Sequence, residues 1–304
     1  MPPRFVVAVT GGKGGTGKSF VATNIAVLMS RHVELTLADL DVEAPNDHLL
    51  LGLQGLENEE PIAIFFPIID YKKCTACGAC AKVCDTGAIV MAKGTPPMVM
   101  PRLCSGCKAC LYACPYKAID PEGRRVVGYS YSTLVKRGGG FRLITGILRE
   151  GEEHTPPAIV VAKQRALKET PSDAMLIVDT GAGTGNGISA AIQEAELVIA
   201  VTEPTPLGLH DLRAILEIAR GMEKRIWMVI NKAGIASHEK HLETAKEYGV
   251  EKVFLVPYDP EAAKIYARGT PVVEECPSCE ASKALNEIAQ SLLVEALEKG
   301  VRRK

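Results

Sequence analysis

The sequence predicts an α/β protein with a doubly wound, mostly parallel sheet and a small cysteine-rich domain inserted into it. Apolar runs rich in β-branched residues alternate with helical patterns along most of the 304 residues, which is typical of a parallel sheet covered by helices. Eight of the ten cysteines fall between residues 74 and 114, in a segment that breaks this alternation. With 47% hydrophobic residues, the chain can bury one large core or two moderate ones.

The strands of the predicted sheet are short, continuously apolar runs, as expected where both faces are buried. The first covers residues 4–10 and leads through a glycine-rich loop into a helical pattern over 20–28. Further strands are predicted at 33–39, 174–178, 196–204, 225–233 and 252–259, and a further helix at 208–220. Ligands bind such a sheet at the carboxyl ends of its strands. We therefore expect the polar residues at these ends to share one site, namely Lys18, Asp41, Asp179 and Asn231.

A phosphate-binding loop is predicted between the first strand and its helix. Its sequence is Gly11-Gly12-Lys13-Gly14-Gly15-Thr16-Gly17-Lys18-Ser19. The glycines let backbone N–H groups turn toward phosphate oxygens, and the N-terminus of the helix adds the positive end of its dipole. Lys18 would neutralise the β- and γ-phosphates of ATP, and the Ser19 hydroxyl would ligate Mg²⁺. A glycine-rich turn without function is the alternative, but strand and helix both fall where a P-loop needs them.

The cysteines form two runs of the same spacing. They read Cys74-x-x-Cys77-x-x-Cys80-x-x-x-Cys84 and Cys104-x-x-Cys107-x-x-Cys110-x-x-x-Cys114-Pro115. Bacterial-type ferredoxins bind two [4Fe–4S] clusters with this spacing, and the fourth cysteine of each run serves the other cluster. One cluster would take Cys74, Cys77, Cys80 and Cys114, and the second would take Cys104, Cys107, Cys110 and Cys84. Zinc and a disulfide framework are the alternatives, and the spacing fits both less well.

The glycine-rich loop resembles the deviant Walker A motif of the MinD/ParA/Mrp and nitrogenase-iron-protein group of P-loop ATPases. The resemblance lies in Lys13, the early lysine of Lys-Gly-Gly-x-x-Gly-Lys-Ser. It implies a homodimeric Mg-ATPase in which Lys13 reaches across the interface to the partner's nucleotide. The catalytic residues that it implies are Lys13, Lys18 and Asp41. The ATP or ADP would be bound by Gly12, Lys13, Gly14, Gly15, Thr16, Gly17, Lys18 and Ser19, and by Asn231.

Three further segments are similar to the same group. Residues 39–46 are similar to its switch I, Asp-x-Asp-x-x-x-x-Asn, in which Asp41 would position the attacking water. The run that ends in Asp179 looks like Walker B followed by switch II. Asp39 and Asp179 would lie near Mg²⁺, both through water. Asn231 ends a strand and would read the edge of adenine, where a side-chain amide can both donate and accept.

The resemblance divides the chain into two domains. Residues 1–60 and 126–304 would form the P-loop ATPase domain. Residues 61–125 would form an inserted ferredoxin domain that begins after switch I. Residues 126–153 follow with alternating, glycine-punctuated segments, which predict a β-hairpin around residues 136–140 that joins the cluster domain back to the ATPase.

Composition narrows the partners and the location. The formal net charge of −1 gives no global basic field, so we expect no nucleic-acid partner. There is no run of 18 apolar residues, and residues 1–4 lack the apolar region of a signal peptide, so we expect a cytoplasmic protein. The amphipathic stretch 282–303 falls where the last helix of the fold belongs. We expect it to pack on the core rather than on a membrane.

Two functions remain open from the sequence. One is an ATPase whose nucleotide state gates electron flow through two clusters toward a redox partner. The other is an ATP-dependent assembly or carrier protein for iron–sulfur or other metallocentres, as Mrp proteins are. A MinD-like positioning ATPase ranks behind them, because such a switch does not need eight cluster ligands. Cys276 and Cys279 resemble the Cys-Pro-x-Cys pair of Mrp carriers but follow the last strand, which favours incidental thiols over a ligand pair.

Overall fold

The computed structural model describes residues 5–153 and 155–304, and most of their secondary structure is organised around one large sheet. The strands are β1 (Phe5–Gly11), β2 (Leu35–Leu40), β3 (Glu60–Phe65), β4 (Ile89–Val90), β5 (Met98–Val99), β6 (Arg124–Val135), β7 (Phe141–Leu148), β8 (Met175–Ala182), β9 (Leu197–Thr202), β10 (Arg225–Ala233) and β11 (Lys252–Pro257). The helices are α1 (Lys18–Met29), α2 (Asp47–Leu50), α3 (Ala79–Lys82), α4 (Ala109–Ala113), α5 (Thr155–Glu169), α6 (Asn186–Ile192), α7 (Pro206–Gly221), α8 (Glu239–Glu247), α9 (Pro260–Ala267), α10 (Val272–Glu275) and α11 (Glu280–Glu298).

Seven neighbouring strands of the sheet are parallel, in the order β11-β10-β9-β1-β8-β2-β7. At one edge β6 pairs antiparallel with β7, and β3 pairs antiparallel with β6. The predicted doubly wound, mostly parallel sheet is therefore confirmed. Every strand predicted within the described residues is present; Arg4, with which the first was expected to begin, lies outside them.

Two hydrophobic cores lie on opposite faces of the sheet. Side chains of β1 show how one strand supplies both: Phe5, Val7 and Val9 belong to one core, and Val6 and Ala8 belong to the other. The first core contains apolar residues of α1 and α11, and the second contains those of α5, α6 and α7. Because both faces are covered, the parallel strands are apolar at nearly every position.

The predicted hairpin around residues 136–140 is confirmed, and it has a larger structural role than expected. β6 and β7 form it, and β7 lies parallel to β2 inside the main sheet. The hairpin is thus part of the main sheet rather than a separate connection. β3 extends the same sheet, so residues 61–65, which the sequence analysis assigned to the insert, lie in the main sheet. In β3 Ile62 and Ile64 are buried while Ala63 is exposed, a one-sided pattern that a search for continuously apolar strands overlooks.

The cysteine-rich insert between β3 and β6 contains only short elements. It holds α3, α4 and the two-stranded β4–β5 sheet. Its first and last segments run side by side, because Asp70 N–H donates to the Ala118 carbonyl at 2.7 Å and Asp120 N–H donates to the Ile68 carbonyl at 2.9 Å. Its small core consists of the buried residues Ile89, Cys110 and Ile119, which pack with Phe65 at the end of β3.

The C-terminal helix α11 packs on the core as expected. Its residues Leu285, Ile288 and Leu292 are fully buried, and they join the core on the α1 side of the sheet. Within the described part of the chain, no helix combines the length and the apolar character that crossing a membrane requires.

Candidate functional site

The glycine-rich loop connects β1 to α1, and its conformation depends on glycine. Gly15 and Gly17 have φ angles of 83° and 95°, which L-residues with side chains rarely adopt. A Cβ atom on Gly17 would lie 2.1 Å from Nδ2 of Asn231, so this close approach leaves no room for a side chain. The side chain of Asn231 instead donates to the carbonyl of Thr16 at 2.8 Å. The loop is therefore fastened to the end of β10.

A cleft opens over this loop, and it gathers most of the nucleotide-contact residues expected from the sequence. Those that line it are Gly14, Gly15, Gly17, Lys18, Ser19, Asp41 and Asn231. Its opposite wall comes from the end of β11 and from α9, with Tyr258 and Tyr266. Gly12 packs against Asp211 of α7, and Thr16 is buried within the loop. The carboxyl ends of the strands thus hold the site, as parallel sheets of this kind require.

The two lysines of the loop have different environments. Lys18 is buried, and its Nζ donates to the carbonyl of Lys13 at 3.1 Å. Burial lowers the pKa of Lys18, while the charges of Asp179 and Asp41 oppose that change. Lys13 is half-exposed and its Nζ lies 3.4 Å from Oε1 of Glu203. Lys18 therefore faces the cleft, whereas Lys13 is paired at the end of β9.

Glu203 holds a second cation as well, and the sequence analysis did not identify this pairing. Its Oε2 accepts from Nζ of Lys232 at 3.1 Å, and Lys232 also donates to the carbonyl of Gly15 at 2.9 Å. Burial would raise the pKa of Glu203, but Lys232 and Lys13 outweigh it, and the pKa is lowered. The ends of β9 and β10 thus steady the phosphate loop through a charged cluster. The signal in the sequence is that both residues lie at the carboxyl ends of predicted strands, Glu203 near the end of 196–204 and Lys232 near the end of 225–233.

Below the loop, three carboxylates come together. Asp39 is the next-to-last residue of β2, Asp179 lies in β8, and Asp47 begins α2. Each offers an oxygen that lies within 4.8 Å of the other two, and all three residues are buried. Burial raises the pKa of each, that of Asp179 to about 7, and the neighbouring carboxylates add to the increase. Asp39 and Asp179 were expected near Mg²⁺, but Asp47 was not identified from the sequence.

Asp41 lies apart from this group and faces the cleft. It is half-buried, and Gly181 stands beside it, since a Cβ on Gly181 would lie 3.3 Å from Oδ1 of Asp41. The next residue, Val42, accepts a hydrogen bond from the N–H of Leu148 at 2.7 Å. The segment with Asp41 is therefore attached directly to β7, which is connected to the insert through β6.

In the insert, the eight cysteines are arranged around two cavities. One is lined by Cys74, Cys77, Cys80 and Cys114, and the other by Cys84, Cys104, Cys107 and Cys110. Each cavity thus combines three cysteines of one run with the last cysteine of the other. These are the same two groups that the ferredoxin spacing predicts.

The two cysteine runs also share an unusual backbone path. Ala76 and Gly106, which occupy equivalent positions, have φ angles of 56° and 74°. Gly78 and Lys108, the next equivalent pair, have φ angles of 79° and 67°. Left-handed backbone at alanine or lysine costs roughly 1–2 kcal/mol per residue. Both loops therefore curl around their cavities at an energetic cost, which a bound group would offset.

The spacing of the sulfur atoms bears on what each cavity can hold. Among the described residues, no three cysteine sulfurs lie within 4.8 Å of one another. A tetrahedral zinc ion, with Zn–S bonds of about 2.3 Å, would draw all four sulfurs closer than that. A single zinc ion would therefore require the sulfurs around either cavity to move closer together.

Burial keeps several of these thiols protonated when no metal is bound. It raises the pKa of Cys80 and Cys104 and raises the pKa of Cys110 to about 11, and nearby thiols contribute to each increase. Because thiolates are the metal ligands, binding must release these protons. Arg125 lies close enough to Cys104 to oppose the increase there.

The remaining two cysteines form a disulfide. Cys276 and Cys279 are joined between α10 and the start of α11, in place of the free thiols that the sequence favoured. Neither sulfur is a thiolate in this state, and so neither is available as a metal ligand. Ala281, which is two residues after Cys279 in the chain, lines the nucleotide cleft.

The fold and the cleft together define a P-loop ATPase. The chain belongs to the CobQ/CobB/MinD/ParA nucleotide-binding-domain family, whose model matches residues 7–272. ATP binding and hydrolysis are thus the activity of this half of the molecule, in agreement with the sequence analysis.

Individual relatives refine this placement. The chain is 30% identical to the uncharacterised protein MJ0579 of Methanocaldococcus jannaschii, over 88% of this chain and 91% of that protein. It is 25% identical to an iron–sulfur cluster carrier protein of Aquifex aeolicus, over 95% of this chain and 67% of the carrier. A 55-residue segment, 18% of this chain and 31% of the relative, is 44% identical to the electron transport protein HydN of Escherichia coli.

The fold itself is shared with MinD. The structure of Pyrococcus horikoshii MinD with Mg-ADP matches with a TM-score of 0.60 at 16% identity, over 97% of this chain and 98% of that one.

Proposed function

We propose that this protein is a dimeric Mg-ATPase that couples its nucleotide state to electron transfer through two [4Fe–4S] clusters toward a redox partner. The observation that carries the proposal is the arrangement of the eight cysteines around two cavities, four to each. Cysteine thiolates are the protein ligands of such clusters, and four ligands complete the coordination of each. A full set of ligands suits clusters that stay in place and pass electrons.

Exposure of the cysteines gives each cluster a route to the surface. Cys104 and Cys110 are buried, whereas Cys77 and Cys107, one from each set, are exposed. An electron would enter through one exposed edge, cross to the second cluster, and leave at the other edge. The similarity of a 55-residue segment to the electron transport protein HydN supports a role of the insert in electron transfer.

A short chain of backbone contacts connects the ATPase site to the insert. Asp41 lies in the cleft, and its neighbour Val42 is hydrogen-bonded to Leu148 at the end of β7. β7 pairs with β6, and β6 pairs with β3, so both ends of the insert are attached to this strand pair. We propose that nucleotide-dependent movement of the segment around Asp41 reaches the clusters along these strands.

The proposed residue roles at the nucleotide follow from the same geometry. Lys18 would hold the β- and γ-phosphates, Ser19 with Asp39 and Asp179 would hold Mg²⁺, and Asp41 would orient the attacking water. Lys13, paired with Glu203 in this chain, would leave that partner when two subunits meet over their nucleotides. Bound Mg²⁺ would supply charge stabilisation at the phosphates.

The second candidate is an ATP-dependent iron–sulfur carrier. Its support is the similarity to the Aquifex carrier protein across 95% of this chain. A carrier must release its cluster, and here the Cys-Pro-x-Cys segment that could hold a releasable cluster is closed as a disulfide. Electron transfer is favoured over delivery by the insert, where four cysteines for each cavity suit clusters that stay in place.

A redox titration with nucleotides tests the proposal. If nucleotide and electrons are coupled, each shifts the other by the same free energy. A coupling of roughly 1–3 kcal/mol corresponds to about 40–130 mV for a one-electron couple. We expect a non-hydrolysable ATP analogue to move the midpoint potential of at least one cluster by more than about 40 mV relative to ADP, and the shift to vanish in Lys18→Ala. Curves that overlay in all nucleotide states would favour the carrier.

Ligand substitution tests the crossed arrangement of the cysteines. Cys84→Ser should damage the cluster that is bound mainly by the second run, since Cys84 lines the cavity with Cys104, Cys107 and Cys110. Anaerobically purified wild-type protein should hold about eight iron atoms per chain, as two four-iron clusters require. Electron paramagnetic resonance of the reduced variant distinguishes the two clusters. Zinc in place of iron after anoxic purification would refute the proposal.

A further inference from the structure

The three carboxylates near the phosphate loop, those of Asp39, Asp47 and Asp179, differ in how many hydrogen bonds they accept. Asp39 accepts N–H groups of Asp41, Asn46 and Asp47 at 2.9–3.2 Å. No backbone or charged donor reaches the side-chain oxygens of Asp47 or Asp179, although both residues are fully buried; the groups that act on Asp179 there are the Ser19 hydroxyl and the carboxyl of Asp47 itself. Four acceptor atoms thus lie at one place without a backbone or charged donor.

Positive charge near this group is scarce. Lys18 is the cation whose charge acts on Asp179, and its Nζ is itself hydrogen-bonded to the carbonyl of Lys13. One ammonium group therefore stands against three carboxylates. Burying ionised carboxylates without compensation is costly, and a metal ion is one of the few ways to offset it. Oxygen-only ligands select hard cations such as Mg²⁺ or Mn²⁺.

We infer that Asp39, Asp47 and Asp179 bind a divalent cation directly, before any nucleotide arrives, and that Asp47 is the ligand that makes this possible. If only Asp39 and Asp179 contacted the metal, and only through water, the metal would bind together with the nucleotide. A third carboxylate within 4.8 Å of both completes a site on the protein alone. The inference concerns the ATPase half and does not rest on electron transfer.

Manganese binding to the nucleotide-free protein tests it. Full-length, anaerobically purified protein is freed of nucleotide and titrated with Mn²⁺, and the room-temperature magnetic resonance signal of free Mn²⁺ reports binding. We expect one saturable site per chain without nucleotide. Asp47→Asn, which keeps the shape of the side chain, should weaken this site at least tenfold, the lower end of what even the loss of an outer-sphere partner costs.

Two further variants separate a ligand from a general effect of charge. Glu43→Gln removes one charge from an exposed position four residues away and should leave Mn²⁺ affinity unchanged. Lys18→Ala should retain or strengthen Mn²⁺ binding, because a competing cation is removed, while its affinity for nucleotide falls. Thermal unfolding of the wild type with and without Mg²⁺, in the absence of nucleotide, gives a readout that needs no variant, since a ligand that binds the native state raises the midpoint.

The outcomes decide the inference in either direction. Saturable Mn²⁺ binding that Asp47→Asn weakens and Glu43→Gln does not would establish the site. Wild-type protein that binds no Mn²⁺ and gains no thermal stability from Mg²⁺ without nucleotide would overturn it, and would mean that Asp47 and Asp179 share a proton instead. Equal weakening by Asp47→Asn and Glu43→Gln would also overturn it.

Discussion

The nucleotide cleft and the cysteine-rich insert are built in opposite ways. The cleft rests on long elements, such as α1 with 12 residues, α7 with 16 and α11 with 19, around a parallel sheet that is buried on both faces. The insert has helices of four and five residues and two strands of two residues each. Its core consists of three buried residues that pack with Phe65 of β3, and one of the three is itself a cysteine of the second cavity.

This difference shows where each half obtains its stability. The sheet has an extensive hydrophobic core on each face, so we expect the ATPase domain to fold without any ligand. A unit as small as the insert usually needs a metal or a disulfide, because its core contributes too little. The eight cysteines of the insert are free, so metal binding is the source available to it. We therefore predict that metal binding and folding are one process in the insert, whereas nucleotide binding and folding are separate in the cleft.

The largest effect that follows is on the structure of the insert when iron is removed. Backbone amides in residues 66–123 should lose their protection from hydrogen exchange, because few apolar contacts remain to hold them. Amides of β1 and β8 should keep theirs. Hydrogen-exchange mass spectrometry on iron-loaded and iron-free protein measures both at once, with retained ADP binding as the control for an intact cleft. Equal protection of the insert in the two samples would show that the insert folds without iron.

A smaller effect is expected in the cleft from Lys18→Ala. The variant loses a charged donor to the phosphates, which is worth about 1.5–3 kcal/mol, or roughly 10- to 100-fold in nucleotide affinity. Iron content should not change, because the insert does not depend on the cleft for folding. Calorimetric titration with ADP and an iron assay measure the two quantities. The matched control is Lys168→Ala on the exposed side of α5, which should bind ADP like the wild type. Loss of iron in Lys18→Ala would show that the two halves fold together.

The smallest expected effect lies where the halves meet, at Arg125 in β6. Its guanidinium pairs with Glu152 and acts on Cys104 of the second cavity. Removing a positive charge stabilises the oxidised, less negative state of a nearby cluster. A partly screened charge contributes up to about 1 kcal/mol. Arg125→Gln should therefore lower the midpoint potential of one cluster by roughly 20–40 mV. Arg125→Lys should restore most of it. Equal shifts of both clusters would place Arg125 away from the second one.

The sequence predicts some features of the ATPase site and of the insert, and it does not predict others. The P-loop, the strand ends and the grouping of cysteines follow local patterns, in which spacing along the chain fixes the geometry. Asp47, Glu203 and Lys232 could not be identified, because their importance arises from neighbours that are distant in sequence. The disulfide between Cys276 and Cys279 is a third case, since the same four residues suit a metal, two thiols or a bond.

β3 was missed for a different reason. It is buried on one face only, and its partner β6 begins more than fifty residues later. Pairing between such distant segments leaves no mark in either of them. The sequence therefore predicts the β6–β7 hairpin but not its place in the main sheet, and it does not predict β3.

The pairing of β3 with β6 has a consequence for how such a molecule can arise. Phe65 and Arg124 are direct partners in that ladder, so the chain leaves the sheet and returns to it at neighbouring positions. An ancestor that lacked the insert needs only a tight turn between these two residues. A single insertion into the tip of an edge hairpin therefore adds an entire cysteine-rich unit without altering the register of the parallel strands. By the same route a unit of this kind can be excised, or transferred to another protein that has a free edge hairpin.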